Sequence, residues 1–141
     1  MRAKEYLLQL GKIDRLIENK IAEMEHWQSI ATSTTAHSEC DRVQSSGSKE
    51  KMAEAVCRYL QIGEELKATV DLLVETKQEV IRTIEQLEVD EYDVLHKMYV
   101  QGKTFQEVAE DKTKSYSWVT SKHGRGLASL QRILDERKDN E

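Results

Sequence analysis

The chain of 141 residues contains no proline, two cysteines and eight aromatic residues. Without proline, the commonest helix breaker is missing, so long uninterrupted helices are permitted. The cysteines, Cys40 and Cys57, form no C-x-x-C pair, and His37-x-x-Cys40 has no second ligand pair at zinc-like spacing. No metal site, cofactor or structural disulfide is therefore expected. No apolar run approaches the roughly 20 residues of a membrane span. The opening MRAKEYLLQLGKID lacks the apolar core and small-residue cleavage site of a signal peptide. The expected location is the cytoplasm, with no membrane partner. Loops of the type GxxxxGK[ST], GxSxG or HExxH are also missing, and acidic pairs such as Glu64-Glu65 lie on a charged helix face. No catalytic residue is expected.

One absence is local. The chain carries 26 acidic residues against 21 basic ones, yet no Asp or Glu occurs from Lys112 to Leu134. That window holds Lys112, Lys114, Lys122, Arg125 and Arg132, with Ser, Thr, Tyr116 and Trp118 among them. Such a clearance has a physical use beside phosphates, where carboxylates repel and Lys or Arg gain by counterion release.

The rest reads as helix. Leu7, Leu10, Ile13, Ile17, Ile21, Met24 and Gln28 recur at steps of three or four, predicting an amphipathic helix over 3–31. From Ser29 to Ser48, nine of twenty residues are Ser or Thr and the period vanishes, which predicts a loop over about 30–48. Met52, Val56, Tyr59, Gly63, Leu66, Val70, Leu73, Lys77, Val80, Ile84 and Leu87 then alternate steps of four and three, the pattern of a coiled-coil seam. The two seams can close on each other as an antiparallel hairpin or pair with a second subunit.

Past Leu87 the pattern shortens. Tyr92, Leu95, Met98 and Tyr99 fall at helical intervals and Gly102 stops that helix. Thr104 and Glu107 form a capping box for a two-turn helix with Val108 and Ala109 buried. Ser115 caps a third helix to about Asp135, with Val119, Leu127, Leu130 and Leu134 facing inward. A short helix, a tight turn and a longer helix clear of acid is the helix-turn-helix plan, in which the last helix enters the DNA major groove.

The stretch LHKMYVQGKTFQEVAEDKTKSYSWVTSKHGRGLASL resembles the fourth region of bacterial sigma factors, with Glu107-Val108-Ala109, Ser115, Val119, Leu127 and Leu130 in the matching places. Together with RVQSSGSKEKMAEAV and the heptad helix, it is similar to small regulators of Gram-positive phages and prophages of the RinA and ArpU types, over most of residues 40–134. The resemblance implies a sequence-specific transcription regulator in a bacterial host cell. Its partners would be double-stranded DNA, a second copy through the heptad helix, and RNA polymerase. The sigma-type register makes Tyr116, Ser117, Thr120, Ser121 and Arg125 groove-facing. Lys122 stands where that pattern has an apolar residue, and Gly124 and Gly126 put a weak point, with a bend near Gly126, into the recognition helix.

The expected architecture is thus all-α: a helical hairpin or coiled-coil arm over 1–87, a helix-turn-helix domain over 88–135 and a charged tail over 136–141. The expected DNA-binding residues are Ser115, Tyr116, Ser117, Trp118, Thr120, Ser121, Lys122 and Arg125. Individual residues keep plainer readings. Trp118 either packs at the DNA backbone or anchors its helix to the core. Tyr116 is a phosphate contact or a surface aromatic. Arg125 pairs with guanine, with phosphate or with water. His123 is a packed helix residue, His26 and Trp27 end the first seam, and Cys57 is an inert surface or interface thiol. Two other functions fit the same pattern. One is a coiled-coil protein–protein adaptor, and the other a ring-forming DNA-packaging protein like a small terminase subunit.

Overall fold

The computed structural model describes residues 1–40 and 46–141, and of 33–40 and 46–48 the backbone alone. Among the described residues it is all-helical: α1 Ala3–Cys40, α2 Ser46–Ile84, α3 Val89–Leu95, α4 Phe105–Lys112 and α5 Tyr116–Asp139, with α3 running on into a π-helical turn His96–Val100. No described helix is long and apolar enough to cross a membrane.

The loop expected over about 30–48 is a correction. The backbone is helical through Cys40 and again from Ser46, and residues 41–45 lie outside the described set. Thr32 indicates how hydroxyls are tolerated in such a helix. Its Oγ1 donates to the Gln28 carbonyl one turn back at 2.8 Å, and so leaves the helical ladder intact. Residues 29–40 contain no proline and no glycine, the strongest helix breakers. The side chains of His37 and Cys40 lie outside the described residues.

The chain forms two compact units, Met1–Lys12 with Leu73–Glu141, and Ile13–Leu72. In the first, the core joins α1, α2, α3 and α5: Tyr6, Leu7 and Leu10 meet Val80, Ile84, Leu95, Leu130 and Leu134. The unit that holds the C-terminal helices thus also takes in 1–12 and 73–87. A second cluster, Val94, Val108, Ala109 and Val119, with Met98, Phe105 and Trp118 against it, fastens α4 to α3 and α5. Buried Thr83 is fully partnered. Its hydroxyl donates to the Glu79 carbonyl at 2.9 Å and accepts from Arg137 at 2.8 Å, with the Tyr6 hydroxyl 3.1 Å away. Arg137 falls in the segment expected to be a tail, which is helical to Asp139.

In the second unit α1 and α2 run antiparallel, since Lys20 pairs with Glu65 at 3.1 Å and Met24 lies against Gly63. The inward face of α2 is turned from the expected seam. Ala55, Ile62 and Thr69, seven apart, are buried, whereas Val56 and Val70 are exposed. On α1, Ile21 and Gln28 are exposed, and Lys20 and Trp27 take the half-buried places. A four-three alternation fixes the period of the buried stripe, but its centre depends on which flank the partner covers.

Turn chemistry positions α4 and α5. Gly102 has φ +72°, the left-handed conformation glycine adopts without penalty. Thr104 caps α4, its hydroxyl oxygen accepting from the Glu107 amide at 3.2 Å. At the far end Thr113 is left-handed at φ 54°. Its amide donates to the Glu110 carbonyl, and the Lys114 amide donates to the Ala109 carbonyl at 3.0 Å, which is a Schellman ending. Glycine usually occupies that place, and a β-branched residue there is strained. Thr113→Gly is expected to stabilise the protein by about 0.5–1 kcal/mol, net of the added freedom of the unfolded chain. A thermal melt reads this as a rise of a few degrees, and a fall would show that the Thr113 side chain stabilises the turn.

Candidate nucleic-acid interface

The cations of the acid-free window have different roles. Lys112 is tied to α3, 2.6 Å from Asp93 and 3.7 Å from Asp90, and its hydrogen bond to Asp93 raises its pKa. Lys122 reaches Glu88 at 3.4 Å. Before the window, Lys103 and Lys97 both pair with Asp111, whose carboxyl is held below its usual range first by the Lys103 hydrogen bond. Arg125 and Arg132 are exposed and without a partner among the described residues.

Helix α5 sorts its side chains by face. Val119, Gly126, Leu130 and Leu134 are buried, whereas Ser117, Ser121, Gly124, Arg125, Ala128 and Arg132 recur at helical intervals along the exposed face. Of the expected contact residues, Ser117, Ser121 and Arg125 therefore share one face. The others divide. Ser115 is the N-cap, its hydroxyl oxygen accepting from the Trp118 amide at 3.1 Å. Thr120 is half-buried and donates to the Ser117 carbonyl at 3.0 Å. Tyr116 is exposed but turns edge-on to Phe105, centroids 5.7 Å apart. With Gln106, Ala109, Glu110, Thr113 and Lys114 it lines an open groove of about 690 Å³ between α4 and the start of α5. Trp118 packs, half-buried, on the cluster of Val94, Val108, Ala109 and Val119. The Lys114 and Lys122 ammonium groups stand 5.4 and 5.9 Å from its ring centroid. Lys114, absent from the expected set, was detectable at four residues before Trp118, one helical turn.

Gly126 proves structural. A Cβ there would lie 3.2 Å from Leu95 Cδ1 and 3.5 Å from Glu91 Cβ, so glycine permits the close crossing of α3 and α5. Helix α5 runs unbroken through both glycines, from Tyr116 to Asp139. Gly124 has nothing within 4 Å of such a Cβ. Gly124→Ala is expected to stabilise the protein by up to ~1 kcal/mol through helix propensity, read as a raised denaturation midpoint.

His123 is packed, as its plainer reading held. Its Nε2 is 2.8 Å from the Tyr99 hydroxyl, its ring stacks on Tyr99 and it meets Phe105 edge-on at 5.1 Å. Burial first, and the charge of Lys4 second, depress its pKa below the ordinary 6.5, and burial depresses that of His96 too. The sign follows from linkage: as pH falls, the unfolded chain takes up these protons first. Stability is therefore complete above about pH 6.5 and declines as pH drops below it. The urea midpoint is expected to fall between pH 7.5 and 5.5, and to fall less in His123→Asn.

Among the described residues no cluster of His, Cys, Asp or Glu gathers as a metal set. Comparison of the chain with protein-family models, with curated proteins and with solved structures finds no match.

Proposed function

We propose that the protein is a sequence-reading, DNA-binding transcription regulator of phage or prophage type. In this reading α3, α4 and α5 form a helix-turn-helix domain and α5 enters the major groove. The paired parts of α1 and α2 form a hairpin arm for a second copy or for RNA polymerase in the bacterial cytoplasm. One observation carries it: the exposed face of α5 presents Ser117, Ser121, Gly124 and Arg125 with no carboxylate from Lys112 to Leu134. Small hydroxyls and a lone guanidinium suit base edges and phosphates, and the open space at Gly124 suits close approach of a nucleic-acid backbone. Lys114 adds positive charge beside that face, next to the Glu88-paired Lys122.

The test is enrichment of source-genome fragments on the purified protein at two salt concentrations, beside an Arg125→Ala and Ser121→Ala double variant. One or a few shared sites, lost in the variant, are expected. Uniform, salt-labile recovery favours a packaging-type protein instead, and no recovery rejects DNA as the partner.

The adaptor reading rests on a different observation. Leu16, Ile21, Val56, Leu60 and Val70 are exposed along α1 and α2. Such side chains suit a helical partner, and under the regulator reading that partner is a second copy, placing two recognition helices on spaced half-sites. Sedimentation across a concentration series checks this, since a persistent monomer removes the dimer.

A further inference from the structure

The first turn of α1 lies along α5. The Ala3 amide donates to Gln131 Oε1 at 2.7 Å, and Gln131 Nε2 donates back to the Met1 carbonyl at 3.4 Å. At about 100° per residue, Gln131, Leu127 and Gly124 define one edge of α5's exposed face, and Trp118 and Lys122 the opposite edge. Lys4, next to Ala3, is exposed and has no ion-pair partner among the described residues. Lys4 therefore projects from the Gln131 edge of α5, and its charge contributes, after burial, to the lowered pKa of His123. Two turns toward the start of α5 on the same edge, Gly124 leaves open space where a side chain would project. The exposed face of α5 thus has ammonium groups on both sides, Lys4 from α1 on one and Lys114, with the Glu88-paired Lys122, on the other. A major groove has this symmetry, a slot about 12 Å wide between two rows of phosphates.

Resting on the reading of α5 as the groove-entering helix, we infer that Lys4 is a phosphate-contacting residue. It closes on the DNA strand opposite the one met by Lys114 and Lys122. The interface is then built from both ends of the chain. Because Lys4 carries no sequence information, it strengthens binding to all sequences alike.

The experiment measures anisotropy of a labelled random-sequence duplex of about 25 base pairs against the full chain, over roughly 50–200 mM salt. Lys4→Gln is expected to lower the magnitude of the log K against log salt slope by about 0.9. It should weaken binding roughly five- to tenfold near 0.1 M salt, whereas Lys4→Arg keeps both. In the same Lys4→Gln protein without DNA, the His123 imidazole followed by NMR should titrate at higher pH. A wild-type chain that binds with a slope unchanged by Lys4→Gln overturns the Lys4 contact and leaves the DNA reading standing. An unmoved His123 overturns the adjacency on which the contact depends. A wild-type chain that binds no duplex at any salt removes the DNA reading and this inference with it.

Discussion

A fragment of residues 88–141 is expected to show no cooperative melting transition. It retains α3, α4 and α5 but only Leu95, Leu130 and Leu134 of the nine residues in the principal core cluster. Ala3, Tyr6, Leu7, Leu10, Val80 and Ile84 come from α1 and α2. Burying a Leu, Ile or Val contributes about 1.5–3 kcal/mol each, and whole domains are stable by only about 5–15 kcal/mol. The loss therefore exceeds what the smaller cluster around Val108 and Val119 can offset. Circular dichroism on the fragment should give a shallow, broad loss of helix with temperature. In the full chain, Leu7→Ala at a fully buried position is expected to destabilise by about 2–5 kcal/mol, read from the urea midpoint. A sharp transition in the fragment would show that the three C-terminal helices fold without α1.

Leu95→Ala is expected to have an effect of the same size, about 2–5 kcal/mol, because Leu95 is fully buried in the core that joins α3 to α5. Its neighbour makes the result more informative. Gly126→Ala alone brings a methyl to 3.2 Å from Leu95 Cδ1, and a side chain held on all sides yields with difficulty. The strain of overpacking, about 1–3 kcal/mol, should outweigh the gain of up to ~1 kcal/mol in helix propensity. In the Leu95→Ala background the obstruction is gone and Gly126→Ala should stabilise. The two changes are therefore expected to be non-additive by 1 kcal/mol or more in a double-mutant cycle. Additivity would mean that the Gly126 contact does not govern the crossing. Gly124, two residues away and unobstructed, is the internal control.

What the sequence made legible was local. Thr104 with Glu107, Ser115 as a cap and Gly102 as a stop are decided by hydrogen bonds within a turn, so their spacing alone reveals them. The inward residues Val108, Ala109, Val119, Leu130 and Leu134 follow from helical period in the same way. What escaped depends on a neighbour far along the chain. Gly126 looked like a weakness because the approach of Leu95 is invisible in the local pattern. The inward faces of α1 and α2 shifted because Thr69 is buried with its hydroxyl donating to the Glu65 carbonyl and half-buried Lys20 pairs with the Glu65 carboxylate. The Ser/Thr-rich end of α1 misled as well: the Thr32 hydroxyl bonds one turn back and leaves intact the helix it was expected to break. At the interface, the absence of carboxylates was legible as composition. Which lysines were already engaged by Asp93 or Glu88 was not.

The closure of Met1–Lys12 upon Leu73–Glu141 also sets an order of events during synthesis. The Ala3 amide finds its Gln131 acceptor 128 residues later. At roughly 5–20 residues per second the nascent chain spends on the order of ten seconds with Leu7 and Leu10 made but their C-terminal partners not yet translated. Residues 13–72, contiguous in sequence, emerge complete long before that. The first turns of α1 are thus a delayed fastening. An all-helical protein of this topology should fold more slowly than its helix content suggests, because its decisive contacts join distant parts of the chain.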